Sequence, residues 1–128
     1  MPIQNKLKAV WIASLILLIA ASFTKGVDPK HALGLDVLFH IGIYAILAAV
    51  PLCVIRKRLA SFIVTISVAP LSFFFETLHG SVTGWGFEML DAFYNNIGIV
   101  LGIVIGLLVR MKQHFANEQK SGEKPEPR

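Results

Sequence analysis

The chain has 128 residues, 55% of them hydrophobic and 16% charged, with a formal net charge of +4 and a mean hydropathy of +0.66. That length leaves no room for several domains, and that apolarity excludes an ordinary soluble domain, whose charged fraction lies nearer a quarter. The basic residues sit at the ends of apolar runs rather than in one aromatic-rich patch, so the composition indicates an integral membrane protein and not a nucleic-acid binder.

Four apolar segments follow one another, at about Ala9–Thr24, Leu35–Ile55, Leu59–Phe75 and Phe93–Val109. At ~1.5 Å per residue each run nearly matches the hydrocarbon thickness of a bilayer. This predicts an all-α fold, a transmembrane bundle of four spans with a short interfacial or re-entrant outer loop before the fourth.

Lys6 and Lys8 precede the first run, and Ala20, Ala21 and Ser22 close it, a pattern that loosely fits a signal peptide. The length of the run, and the exposed second helix that cleavage would leave, favour a retained span. The second run carries Asp36, His40 and Tyr44 at intervals of four, which places them on one helix face. Pro51 and Pro70 fall inside the second and third runs, where each removes a backbone donor and can kink the helix; a bend at Pro70 would help place Glu76. The lone Cys53 cannot form an intramolecular disulfide and reads as a packing residue.

Between Phe75 and Asp91 three glycines mix with aromatics, which reads as an interfacial turn with Trp85 and Phe87 as anchors at headgroup level. The fourth run opens with Asp91 and Asn95 and continues with Gly98, Gly102 and Gly106, a spacing that lets another helix approach closely. Those glycines are packing residues, and the stripe also suits a homodimer. Asp91 can serve as an N-cap of this helix. Residues 1–112 thus form the membrane domain, and residues 113–128, rich in Lys, Glu, Gln and Pro, are expected to form a disordered cytoplasmic tail.

Lysines and arginines set the expected topology. Lys6 and Lys8, the Arg56-Lys57-Arg58 turn, and Arg110 and Lys112 place both termini in the cytoplasm, leaving Lys25 and Lys30 outside. Asp28, Asp36, Glu76, Glu88 and Asp91 then lie on or near the outer side.

An ionisable group at membrane depth costs roughly 2.5–3.5 kcal/mol on insertion scales, so acids in apolar surroundings point to function. Asp36, His40, Tyr44, Glu76, His79, Asp91 and Asn95 are the candidate ligand-binding residues. Asp36 beside His40 suits an acid–base pair, and equally a metal ligand or a structural hydrogen-bond chain. Glu76 and His79, three residues apart, form a Glu-x-x-His pair of the kind used in metal-carboxylate bundles. With Asp91 they are the candidate ligands of a divalent metal, zinc or manganese by donor type, although no dense ligand motif calls for a cofactor.

These elements resemble the VanZ-like family of small bacterial membrane proteins over about residues 35–110. The matching residues are Asp36, His40 and Tyr44, then Glu76, Gly84, and the Asp91-x-x-x-Asn95-x-x-Gly98-x-x-x-Gly102 opening of the fourth span. The chain departs from the family at Val37, where a lysine is common, at His79 in place of glutamine, at Trp85 in place of arginine after the glycine, and at Glu88 in place of a small hydroxyl residue. The resemblance implies a multi-pass protein of the bacterial cytoplasmic membrane, in a family whose founding member lowers susceptibility to the glycopeptide teicoplanin. It supplies no reaction.

Three function classes remain open on these residues. The first is an envelope protein whose outward polar pocket binds a membrane lipid, a lipid-linked envelope precursor or a glycopeptide-like ligand. The second is a membrane hydrolase or transferase acting on a lipid-linked substrate, with His40 as base oriented by Asp36. The third is a structural or accessory subunit of an envelope complex.

Overall fold

The computed structural model describes residues 2–24 and 35–123, apart from the side chains of Leu35 and Asp36. Four helices follow in order: α1, Ile3–Phe23; α2, Leu35–Val54; α3, Arg58–Thr83; and α4, Met89–Gly122. All four are long and apolar enough to cross a bilayer, so the protein is a multi-pass, all-α membrane protein. The expected outer charges Lys25, Asp28 and Lys30 lie outside the described residues.

Burial follows the logic of a lipid solvent. Ile16, Phe74, Val100, Val104 and Leu108 point outward, while Ser14, Ser22, Ser61, Thr65, Ser72 and Asn95 are buried among the helices. Lipid tails are as apolar as leucine, so helices in a bilayer associate through close packing and interhelical hydrogen bonds rather than by hiding apolar surface. Small and polar residues therefore belong inside.

The most extensive pairing is α2 with α4. A Cβ placed on Gly98 would run into the backbone of Ile41, one on Gly102 into Ala45, and one on Gly106 into Ala49 and Leu52. Both partners advance together along the chain, so the two helices are parallel and held in register at each turn. The glycine stripe expected to serve a homodimer is thus filled from within the chain, and any dimer must use another surface. On the other flank α3 lays its own small polar stripe of Ser61, Thr65 and Ser72 inward, and the Thr65 hydroxyl donates to the Ala48 carbonyl at 3.2 Å.

Pro51 has no N–H, so the Leu47 carbonyl one turn earlier loses its helical donor. Trp11 of α1 supplies the replacement, its indole N–H donating to Leu47 O at 3.0 Å. This bond ties α1 to the core. Arg110 does the same service at the C-terminal end of α2, where helix carbonyls lack intrahelical donors. Its guanidinium donates to the carbonyls of Leu52 and Ile55, each at 3.2 Å, to Arg56 O at 2.8 Å and to the Ser61 hydroxyl at 2.9 Å.

Two boundaries differ from the sequence reading. Helix α3 continues through Glu76 and His79 to Thr83, so the loop before α4 is only Gly84–Glu88. Gly84 and Gly86 take left-handed φ values of 77° and 78°, and both N–H groups donate to the Gly80 carbonyl, at 3.0 and 3.3 Å. That turn ends the helix later than composition suggested. Likewise α4 runs on through 113–122, where a disordered tail was expected, because Met111, Lys112, Gln113, Ala116 and Glu118 are good helix formers and His114 meets Glu118 at 3.3 Å. Residues 124–128 lie outside the described residues.

Replacing Trp11 by Phe keeps the ring and removes the N–H, leaving the Leu47 carbonyl without its partner. The expected cost is about 1–3 kcal/mol in reversible unfolding from mixed micelles. An unchanged unfolding curve would mean that the carbonyl is satisfied otherwise.

Candidate ligand-binding site

The parallel register of α2 and α4 brings His40 opposite the first turns of α4. His40 Nδ1 and Asn95 Oδ1 are 2.7 Å apart, and His40 Nε2 is 3.7 Å from Asp91 Oδ2. The second distance is long for a direct hydrogen bond but within ion-pair range. Phe39 meets the imidazole edge-on, with ring centroids 5.9 Å apart. The side chains of His40 and Asp91 are each 13% exposed, whereas Asn95 is 0% exposed.

Which proton sits where depends on how the asparagine amide is turned. With its oxygen toward the ring, Nδ1–H donates to Asn95. With its nitrogen toward the ring, Nδ1 accepts and Nε2–H faces Asp91. On a neutral ring the first arrangement turns the Nε2 lone pair toward Asp91 and the second turns an N–H there, so the amide orientation decides whether His40 presents a base or a donor.

One turn below His40, Tyr44 is 1% exposed and lies in the core cluster with Val68 and Phe75 of α3 and Ile99 of α4. Glu76 is 4% exposed. The polar cluster thus joins His40 of α2 to Asp91 and Asn95 of α4, and Ser72 and Glu76 are buried polar residues on the adjoining α3. The Asp36 side chain lies outside the described residues, so its pairing with His40 is not part of this geometry.

His79 is not brought to His40. Its ring stands edge-on to Trp85 with centroids 6.2 Å apart, and its Nδ1 finds no hydrogen-bond partner. Among the described residues no three His, Cys, Asp or Glu side chains converge as a metal-binding group, so Glu76, His79 and Asp91 are not assembled as ligands of one ion. Asp91 is not the N-cap of α4. That position is Glu88, without a side-chain capping bond, and Asp91 lies in the first turn near the positive end of the helix dipole.

The sequence reading paired polar residues by their spacing along one helix and grouped them across helices only by depth, whereas the described contacts pair His40 directly with Asn95 and Asp91 of α4. It also passed over Ser72. The one available signal was its spacing, since Ser61, Thr65, Ser72 and Glu76 recur on the buried face of α3.

No family model matches the chain, and no curated protein or solved structure matches it. The site's own chemistry therefore carries the functional reading.

A double-mutant cycle on His40→Ala and Asn95→Ala measures the cross-helix bond. Interhelical hydrogen bonds in bilayers average about 0.6 kcal/mol and reach about 1.7, and the short contact here predicts coupling in the upper half of that range. Additive losses would show that the two side chains do not interact.

Proposed function

We propose that the protein is a binding protein of the bacterial envelope, VanZ-like in character, whose polar cluster receives a lipid-linked or glycopeptide-like ligand. The observation that carries this reading is the cross-helix set of polar side chains itself, with His40 held 2.7 Å from Asn95 and 3.7 Å from Asp91. Carboxylates at Asp91 and Glu76 suit a ligand bearing amines or hydroxyls. The exposed rings of Trp85 and Phe87, in the loop that leads into α4, offer a platform for sugar or peptide faces.

In the orientation that places basic residues in the cytoplasm, the cluster lies toward the outer side of the bacterial cytoplasmic membrane and both termini lie inside. A teicoplanin-related role belongs to the same proposal, resting on the VanZ-like residues Asp36, His40, Glu76, Asp91 and Asn95. A hydrolase or transferase using His40 as base is the alternative drawn from the same residues. A second reading is favoured by the complete burial of Asn95: the His40–Asn95 bond braces α2 against α4 and serves stability alone.

Native mass spectrometry of the protein released from its own membranes separates the two. The binding reading predicts a retained lipid-linked or glycan-bearing adduct. In Asp91→Asn, occupancy should fall about tenfold or more, the worth of a charge-assisted hydrogen bond, while thermal stability stays unchanged. A bare wild-type protein together with a destabilised Asp91→Asn variant would favour the brace.

A further inference from the structure

At the end of the bundle away from the His40 cluster, a cavity of about 970 Å³ opens between the α2–α3 turn, the second half of α4 and the start of α1. Its walls include Arg56, Arg58, Arg110 and His114 together with the apolar side chains of Phe62 and Met111. We infer that this cavity binds the phosphate of an anionic phospholipid. The inference is independent of the ligand proposed for the His40 cluster.

Three observations carry it. First, the positive charge is not neutralised within the protein: among the described residues no carboxylate pairs with Arg56, Arg58 or Arg110, and the one nearby acid contact is Glu118 with His114. Arg110 is also held in place by its bonds to the α2 carbonyls and Ser61, so its charge is positioned before any ligand arrives. Second, α3 begins beside Arg58 with no side-chain cap at Lys57 and no acid in its first turn, which leaves the positive end of the helix dipole facing the same region. Neither feature alone makes a site, but here both border one cavity.

Third, the surroundings are those of a lipid rather than of a free anion. The cavity is far larger than one phosphate needs, and Phe62 and Met111 expose their apolar side chains. An apolar groove of about 220 Å³, walled by Trp11, Val50 and Pro51, shares Val54 and Ile55 with it. A phosphate against the arginines with an acyl chain along that groove fits both spaces. Basic pockets between transmembrane helices at a membrane surface bind anionic headgroups through this combination.

The test uses the full chain in detergent, titrated with dioleoylphosphatidylglycerol or dioleoylphosphatidylcholine and read by native mass spectrometry. The wild type should prefer the anionic lipid. Arg56→Gln with Arg58→Gln should reduce that preference roughly 30-fold, and Arg58→Gln alone about fivefold, while Arg56→Lys with Arg58→Lys keeps most of it. Both arginines are exposed, so the glutamine variants should keep the wild-type circular dichroism. Equal retention of the two lipids by the wild type, or an unchanged preference in the double glutamine variant, would overturn the inference. Displacement of the lipid by millimolar inorganic phosphate would overturn it too, by showing a site for a soluble anion. Asp91→Asn should leave this preference intact, so failure here and failure of the His40 site are distinguishable.

Discussion

The close approach of α4 to α2 is the constraint on which the remaining structure depends. Gly98, Gly102 and Gly106 present bare backbone to Ile41, Ala45 and Ala49, and no side chain fits between. Dispersion falls steeply with separation, so this contact is strong only while the glycines stay glycines. It also fixes the register, because three successive turns of one helix rest on three of the other. His40 precedes Ile41, and Asn95 precedes Gly98 by one turn, so the same register that seats the glycines sets the imidazole against the amide. The polar cluster follows from the packing.

Each polar group enclosed by these helices raises a question of compensation, because no water waits in the hydrocarbon to replace a missing bond. Pro51 breaks the α2 ladder at Leu47, and Trp11 repairs it from another helix. The C-terminal end of α2 would expose carbonyls, and Arg110 gathers three carbonyls there with one guanidinium. Such repairs make the bundle interdependent: α1 and α4, distant in sequence from these carbonyls, become conditions for the integrity of α2. Arg110 also bonds Ser61, so it joins the turn between α2 and α3 to the opening turn of α3.

Four spans were legible from apolar runs, since length and hydropathy suffice when each helix must cross the same thickness. Their ends were less so. Glu76 and His79 fall just beyond the apolar run, in a stretch that reads as an interfacial turn, yet the α3 ladder continues until Gly84 and Gly86 can adopt left-handed conformations. Gly98, Gly102 and Gly106 were legible as packing residues, but spacing along one helix cannot say which neighbour fills it, and a second copy was as good a reading as α2. The site shows the same limit. Intervals of three and four pair residues on one helix, so Asp91 with Asn95 and Glu76 with His79 stood out, whereas the contact of His40 with Asn95 spans 55 positions and depends on helix register.

The central claim is that glycine-mediated packing sets the imidazole environment. The most direct measurement is the ¹⁵N solid-state NMR spectrum of the His40 ring in lipid bilayers, compared between the wild type and Gly102→Val. The account predicts that both wild-type ring nitrogens are hydrogen-bonded or ion-paired and that His40 correlates with the Asn95 side chain. Gly102→Val, two turns away and without contact to either residue, should abolish that correlation. A wild-type ring nitrogen open to water, or a His40 spectrum indifferent to Gly102→Val, would contradict the account.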